Sequence, residues 1–105
     1  MNLKGSLPLL ILHTLADGPK HGYRIAKEIK TQSQGVLDFK EGTLYPTLHG
    51  LEKQELVAAY SEIENGRERR YYRLTDSGRE ALDHELNEWE RYSNAVSMIL
   101  KGASS

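Results

Sequence analysis

Four arginines lie close together in the second half of the chain, at Arg67, Arg69, Arg70 and Arg73. A guanidinium group presents a planar fork of N–H donors that matches two oxygens of a phosphate or a carboxylate. A cluster of this kind is typical of a surface that binds nucleic acid, but it is also compatible with a solvated protein surface. The position of the cluster in the fold therefore decides between the two interpretations.

The sequence has no arrangement of residues that is typical of an enzyme. Catalysis needs a nucleophile with an adjacent base, a matched acid–base pair or a metal. The four histidines fall on different predicted elements, and only His84 and Glu88 share the i, i+4 spacing of one helix face. Two ligands do not complete a metal site, and neither a P-loop nor a dinucleotide-binding motif occurs. We therefore expect no catalytic activity, no metal and no cofactor.

Size and charge fit one small globular domain. The chain has 105 residues, of which 38% are hydrophobic, and it lacks cysteine, which excludes disulfides and thiolate metal sites. The net charge of −1 is unevenly distributed, because residues 1–74 carry 11 Lys and Arg against 9 Asp and Glu, whereas residues 75–105 carry 3 against 6. Neither a signal peptide nor a bilayer-spanning segment is recognisable, so we expect a cytoplasmic protein without membrane association.

Three helices are predicted before the arginine cluster. The first covers residues 6–16 with Ser6 as its N-cap, and it is apolar on nearly all sides, which suggests burial against a partner subunit. The second covers residues 21–31. The third begins with Thr43 as N-cap, which places Pro46 at the third helical position. Its buried face is marked by Leu44, Leu48 and Leu51.

A β-hairpin is predicted after the third helix. Residues 57–64 and 67–74 have the composition of two strands, and Asn65-Gly66 between them tolerates positive φ at both central turn positions. Alternation along the second strand directs Tyr72 and Leu74 inward. The arginine cluster therefore lies in and just after the hairpin turn.

A long last helix, residues 75–101 with Thr75 as N-cap, completes the chain. Apolar residues recur along it every three or four positions, as in a seam that packs against a second helix. Together with the apolar first helix, this seam predicts a homodimer. The predicted interface comprises Leu7, Leu10, Leu82, Leu86, Trp89, Val96 and Leu100.

These elements predict a mainly α fold with a small β-hairpin: a winged helix-turn-helix domain at residues 1–74 and a C-terminal dimerisation helix at residues 75–105. In such a domain the third helix enters the DNA major groove, and the hairpin tip meets phosphates or the minor groove. That placement favours DNA as the ligand of the arginine cluster. Two alternatives stay open. One is a winged-helix protein-interaction module that does not bind DNA, and the other is a MarR-like regulator, for whose additional helices this chain is short.

Three segments resemble the PadR-like transcriptional regulators: EGTLYPTLHGLE at residues 41–52, HGY at residues 21–23, and RYYRLT at residues 70–75 with Gly78. The resemblance extends from residue 3 to about residue 100, and the single C-terminal helix is similar to that of the short branch of the family. It implies a bacterial or archaeal repressor that binds its promoter as a homodimer and is released by an effector. One departure is Glu55, because the family usually has glycine between the third helix and the wing. This departure predicts a less sharply ended helix and leaves the exact wing angle open.

The candidate DNA-binding residues come from these motifs and from the charge pattern. The resemblance assigns Thr43, Tyr45 and Pro46 to the start of the recognition helix, and Tyr23 to a position near the DNA backbone. Both tyrosines are also compatible with packing in the core, with or without an exposed hydroxyl. Lys40 would lie at the N-terminus of the recognition helix, where the helix dipole also attracts phosphate. The complete predicted set is Tyr23, Lys40, Thr43, Tyr45, Pro46, Thr47, Arg67, Arg69 and Arg70.

Trp89 is the only tryptophan of the chain. In a heptad seam a tryptophan usually packs against the partner helix. In some short-branch relatives, a tryptophan of the last helix pairs across the dimer and lines an aromatic drug pocket, so the resemblance implies Trp89 as a candidate effector contact. The expected partners are double-stranded DNA with a palindromic operator, a second copy of the chain, and an aromatic or other small-molecule effector. The operator half-sites would lie about one helical turn apart.

Overall fold

The computed structural model describes residues 3–102, with side chains from Ser6 onward. Its helices are α1 (Leu3–Thr14), α2 (Gly22–Gln32), α3 (Glu41–Lys53) and α4 (Asp76–Leu100). Its strands are β1 (Lys20–His21), β2 (Val57–Glu64) and β3 (Arg67–Leu74), which form an antiparallel sheet in the spatial order β1-β3-β2. This is a winged helix-turn-helix, so the predicted mainly α fold with a hairpin is confirmed. The outermost residues of the two predicted segments, 1–2 and 103–105, lie outside the described residues.

The core lies where the four helices meet the base of the sheet. The predicted inward face of α3 is buried, and Tyr72 and Leu74 of β3 are buried as predicted. Each large apolar side chain that is fully buried contributes about 1.5–3 kcal/mol to folding. The buried apolar residues are Leu7, Ile11, Leu12, Leu15, Ile25, Ile29, Leu44, Leu48, Leu51, Val57, Tyr72, Leu74 and Leu82.

The wing hairpin has the predicted bounds and turn. The register pairs Val57 with Leu74 at the base and Glu64 with Arg67 at the tip. Asn65 and Gly66 have φ values of 50° and 77°, so both central residues are left-handed, as a type I′ turn requires. The turn therefore fixes which face of β3 each arginine occupies.

Thr75 joins the start of α4 to the start of the wing. Its hydroxyl accepts the backbone N–H of Gly78 at 2.9 Å, which confirms the predicted N-cap. The same hydroxyl lies 2.7 Å from the Glu55 carbonyl oxygen, to which it can donate, and the Thr75 N–H donates to the Leu56 carbonyl at 3.2 Å. A Cβ at position 78 would overlap the Leu56 carbonyl oxygen, so the close approach requires glycine there.

Two predicted helix starts are wrong. Helix α1 begins at Leu3, so Ser6 lies within the helix and is not its N-cap. Helix α3 has Lys40 as N-cap, and the Lys40 carbonyl accepts the N–H groups of Thr43 and Leu44, both at 2.9 Å. Residues 41 and 42 therefore belong to the helix. The Glu41 side chain lies in the first turn, where the helix dipole favours a negative charge. Thr43 is therefore the third helical residue.

The shift also changes the environment of Pro46. It is the sixth residue of α3, not the third, so its missing N–H leaves the Gly42 carbonyl without the usual intrahelical donor.

No pattern in the sequence indicates β1, which has only two residues. Lys20 and His21 pair with Tyr72 and Tyr71 of β3. The Lys20 ammonium is buried and donates to the Thr14 carbonyl at 2.7 Å and to the Asp17 carboxylate. This hydrogen bond lowers the pKa of Asp17 below its usual value. Lys20 thus connects the end of α1 to the sheet.

The junction at Glu55 is sharper than predicted. The Glu55 N–H donates to the Glu52 carbonyl at 2.9 Å, and the Leu56 N–H donates to the Leu51 carbonyl at 3.0 Å. These two bonds form a complete Schellman motif, in which the C′ residue is left-handed. Glu55 has that conformation, with φ at 63°, although it is not glycine. The wing therefore leaves α3 at an abrupt, hydrogen-bonded turn, and the expectation of a loosely ended helix is wrong.

We predict that Glu55→Gly stabilises the protein by about 0.5–1 kcal/mol. A side chain in the left-handed region costs about 1–2 kcal/mol, and the greater freedom of glycine in the unfolded chain offsets part of the gain. Urea denaturation followed by circular dichroism measures the change. Glu55→Ala is the matched control, because it removes the carboxylate but keeps a Cβ. Equal stability of the two variants would contradict the strain at this position.

Candidate nucleic-acid interface

The outward face of α3 carries four exposed residues, Gly42, Pro46, His49 and Lys53. Their spacing of four, three and four places them on one side of the helix, opposite the buried leucines. Lys53 makes no ion pair with any residue that the structure describes. His49 and Lys53 were absent from the predicted set, although the same periodicity that identified the buried face also identifies them. This face is the part of α3 that can enter a groove.

Thr47 lies on a different side of α3. Its hydroxyl donates to the Thr43 carbonyl at 2.9 Å. Its side chain lines a groove with Pro8 and Leu12 of α1 and Ala81 of α4. The structure therefore places Thr47 away from the outward face, whereas Thr43 is half-buried at the edge between the two.

A cleft of about 640 Å³ between α2 and the start of α3 brings together three residues of the predicted set: Tyr23, Lys40 and Tyr45. Lys27 and Lys30 line the same cleft. The cleft is thus a cationic surface directly beside the outward face of α3.

The charges of this cleft are partly paired. Lys40 and Lys30 both approach the Asp38 carboxylate, at 3.1 Å and 3.6 Å. The Lys40 hydrogen bond lowers the pKa of Asp38 below its usual value. Lys27 is exposed and makes no ion pair within residues 3–102. The cleft retains more cationic than anionic side chains, which suits a phosphate backbone.

The two tyrosines of the cleft have different environments. Tyr23 is 67% exposed, which excludes a core role for its ring. Tyr45 is half-buried, and its hydroxyl oxygen would lie 2.6 Å from a Cβ at Gly22, so its ring packs against the first turn of α2. Burial raises the pKa of Tyr45 above its usual value. Tyr45 therefore fixes the contact between α2 and α3.

The arginines of the wing fall on both faces of the sheet. Arg67 and Arg69 share the outer face with Tyr71, whereas Arg70 shares the inner face with Tyr72. Arg67 is exposed, and no ion pair involves it among the described residues; Arg69 lies 3.6 Å from the Glu64 carboxylate. Arg70 approaches the Glu52 carboxylate of α3 at 3.1 Å. The cluster therefore consists of two arginines near the wing tip, one that faces α3, and exposed Arg73 near the base of the wing.

An aromatic row crosses the outer face of the sheet. The rings of His21 and Tyr71 lie 5.6 Å apart, and those of Tyr71 and Tyr60 lie 5.7 Å apart. His21 also caps α2, because its Nδ1 accepts the Arg24 N–H at 3.2 Å. Burial, with a smaller contribution from the Arg69 charge, lowers the pKa of His21. The neutral imidazole thus connects the wing to the first turn of α2.

The residues of the predicted dimer interface separate into two groups. Leu7 is fully buried and Leu82 is nearly so in the core of the single chain, so neither offers its side chain to a partner. Leu10 is half-buried and packs against the same core. This burial removes Leu7 and Leu82 from the predicted interface, because both side chains already pack within the chain, whereas Leu9 and Leu10 of α1 are only half-buried.

The remaining residues of the predicted interface lie on α4 from Leu86 onward. Trp89 and Val96 are half-buried, and Leu86 and Leu100 are exposed. Trp89 also packs beside Tyr92, with the ring centroids 6.4 Å apart. The exposed apolar side chains of this region include Leu86, Tyr92, Met98, Ile99 and Leu100.

Within the part of the chain that the structure describes, no helix is long and apolar enough to cross a membrane. No group of three or more His, Cys, Asp or Glu residues that could hold a metal occurs in that same part.

An exposed third helix beside an arginine-bearing hairpin is the arrangement with which winged helix-turn-helix regulators bind DNA. Residues 11–84 match the transcriptional regulator PadR-like family, and the chain belongs to this family. The named relatives are transcriptional regulators, which are not enzymes. One of them is the transcriptional regulator Rv3488 of Mycobacterium tuberculosis, which is 37% identical over 93 residues, or 89% of this chain and 84% of that protein.

Solved structures of the family have the same fold. A PadR family transcription regulator from Clostridium difficile is similar with a TM-score of 0.80 and 30% identity, over 91% of this chain and 99% of that one. Bacillus subtilis PadR, solved in complex with operator DNA, has a TM-score of 0.70 and 30% identity, over 76% of this chain and 46% of that one.

We predict that acid destabilises the protein through His21. Because its pKa is lowered on folding, the unfolded chain binds the proton more readily, so stability is lost as the pH falls below the ordinary value of 6.5. Protonation also removes the Nδ1 acceptor that caps α2. Denaturation midpoints between pH 8 and about pH 5 measure this loss.

Two variants isolate this effect. His21→Asn keeps a capping acceptor but does not titrate, so its profile should be flatter than that of the natural protein. His49→Asn removes a histidine that caps no helix and should keep the natural profile. A steep acid loss that survives in His21→Asn would assign the effect to other groups.

Proposed function

We propose that this protein is a homodimeric transcriptional repressor that binds a specific DNA sequence and is released from it by a small-molecule effector. The observation that carries the proposal is the outward face of α3, where exposed His49 and Lys53 lie between the cationic cleft and the wing. The similarity to Bacillus subtilis PadR, which was solved with operator DNA, supports it.

The three parts of this surface have different roles in the proposal. His49 and Lys53 on α3 reach base edges in the major groove, where a cationic side chain can donate to guanine. Tyr23 and the cleft lysines contact the backbone beside that groove. Arg67 and Arg69 near the wing tip bind phosphates, and each neutralised phosphate releases counterions.

The homodimer is supported by the apolar second half of α4. Leu100 is 79% exposed, and its neighbours Met98 and Ile99 are also exposed. A chain of this size gains stability by burying such a surface against a second copy. In this proposal residues 1–74 bind DNA and residues 75–105 hold the two subunits together, so that two α3 helices reach half-sites about one helical turn apart in a palindrome.

The effector site proposed is the surface around Trp89. Trp89 and Tyr92 form a half-exposed aromatic pair on the helix that would join the subunits. An aromatic effector that stacks there would open or twist the dimer and spoil the spacing of the two α3 helices. Effector relief therefore depends on the dimer.

We predict that DNA binding falls steeply with salt and that the wing-tip arginines contribute to that slope. Fluorescence anisotropy with the DNA upstream of the protein's own gene, and with random DNA, measures affinity over a salt series. Arg67→Ala with Arg69→Ala should weaken binding to both DNAs and reduce the salt slope of the dimer by about 4, because two phosphate contacts are lost in each subunit and each contact contributes about 0.9. Lys53→Ala should instead reduce the preference for the specific DNA.

Arg79→Ala is the matched control, because Arg79 is exposed but lies beyond the base of the wing. The eight residues of β3 place that base about 23 Å from the tip. We expect Arg79→Ala to bind both DNAs with the affinity of the natural protein, and the wing variant to bind both more weakly. If the natural protein bound neither DNA in a salt-dependent way, the proposal would be refuted.

We predict that Val96→Asp converts the dimer to a monomer, because it places a charge within the apolar seam of α4. Sedimentation velocity measures the assembly state. Asn94→Asp introduces the same charge on the exposed opposite side of the helix and should remain dimeric. Trp89 emission provides a second readout: it should change when the natural protein is diluted from dimer to monomer. Constant emission across that transition would remove Trp89 from the interface.

A further inference from the structure

Arg70 contacts α3 in a way that Arg67 and Arg69 do not. Its Nη2 donates to both carboxylate oxygens of Glu52, at 3.1 Å and 3.3 Å. Its guanidinium carbon also lies 5.9 Å from the centroid of the Tyr72 ring. Hydrogen bonds to Tyr72 and Glu52 raise the pKa of Arg70 above its usual value. The side chain therefore joins the wing to the helix that carries the outward face.

The Arg70–Glu52 contact lies at a point where a small change in the angle of the hairpin displaces the wing tip. Tyr72 is buried, whereas the hairpin beyond Arg70 is largely exposed, so Arg70 lies where the wing leaves the core. Asn65 in the turn lies five residues further along, or about 16 Å at the usual strand rise. A tilt of about 10° at Arg70 would then move the tip by about 3 Å, which is comparable to the length of a hydrogen bond. The position of the wing tip therefore depends on the angle of the hairpin at Arg70.

We propose that Glu52 and Arg70 are positioning residues that fix the angle between the wing and α3, and that Arg70 is not itself a phosphate contact. This role replaces the phosphate contact predicted from the sequence. The consequence for DNA selectivity depends on the proposed function, whereas the fixed angle is a property of the free protein and is tested separately.

The ion pair is suited to this task although it is partly exposed. Arg70 and Glu52 side chains are 53% and 33% exposed, and pairs of that kind contribute little to stability. Its removal should therefore leave the core folded. Glu52 lies on α3 and Arg70 lies on β3, 18 positions further along the chain, so their contact restrains the orientation of the wing relative to α3. An ion pair within one helix would impose no such restraint.

The first experiment measures the wing angle without DNA. The chain has no cysteine, so Glu68→Cys on the wing and His49→Cys on α3 give two specific spin-label sites in the otherwise natural protein. Labelled subunits are mixed with excess unlabelled ones so that only distances within a subunit are measured. The distance distribution from pulsed electron resonance should be narrow, and it should broaden with either Glu52→Gln or Arg70→Gln.

The exchanged pair, Glu52→Arg with Arg70→Glu, should restore the narrow distribution. Arg67→Gln is the matched control and should not change it, because Arg67 has no contact with α3 in the described residues. Equal widths in all variants would overturn the proposal.

The second experiment compares the affinity for the best-bound sequence, selected by the protein from a random pool, with that for random DNA. As positioning residues, Glu52→Gln and Arg70→Gln should each lower this ratio by about threefold to fivefold, in line with a partly exposed pair, without changing the salt slope. The exchanged pair should recover part of the ratio. If Arg70 instead binds phosphate, Arg70→Gln lowers the affinity for both DNAs and reduces the salt slope of the dimer by about 2, one contact in each subunit, while Glu52→Gln causes no loss. That result would overturn the proposal.

Failure of the natural protein to bind either DNA would refute the proposed function. The spin-label result would still decide whether Glu52 and Arg70 fix the wing.

Discussion

The Leu56 carbonyl oxygen accepts the backbone N–H of Thr75 at 3.2 Å and lies 3.0 Å from the Thr75 hydroxyl, and the placement of the functional elements depends on this contact. The end of α3, the first residue of the wing, the last residue of the wing and the first turn of α4 all meet here. Gly78 permits the approach, because any side chain at that position would overlap the same carbonyl. One backbone oxygen therefore relates the helix proposed to contact DNA to the helix proposed to join the subunits.

The distribution of charge over the surface of this protein differs from what its net charge suggests. The net charge is −1, yet exposed cations remain on the outward face of α3, in the cleft beside it and near the wing tip. Two carboxylates in the same region have cationic partners: Asp38 pairs with Lys30 and Lys40, and Glu52 pairs with Arg70. The acidic surplus lies on α4, away from these surfaces. A protein can thus have a basic functional face without a basic composition.

The sequence predicted the features that depend on neighbouring residues. The Asn65-Gly66 turn, the buried face of α3 and the Thr75 cap each follow from a pattern within about a dozen residues, and the structure confirms all three. The N-cap of α3 was misplaced because Thr43 is a better side-chain cap than Lys40, whereas the helix begins where the Lys40 carbonyl can accept its first N–H groups. Strand β1 was missed since it exists only through pairing with β3.

The candidate site was predicted less completely for the same reason. Residue types located the arginine cluster, but only the three-dimensional structure separates Arg70, which pairs with Glu52, from Arg67, which makes no ion pair within residues 3–102. Likewise, the apolar pattern of α1 could not distinguish burial within the chain from burial against a partner, and Leu7 proved to be internal. The two-residue strand β1 has an evolutionary consequence: by pairing at Tyr71 and Tyr72 it anchors β3 near its base, whereas Arg67 and Arg69 lie in the part of the ladder near the tip, where only β2 pairs with β3. Point mutations at those tip positions can therefore diversify the surface that meets a ligand while the backbone ladder, and with it the fold, is inherited unchanged.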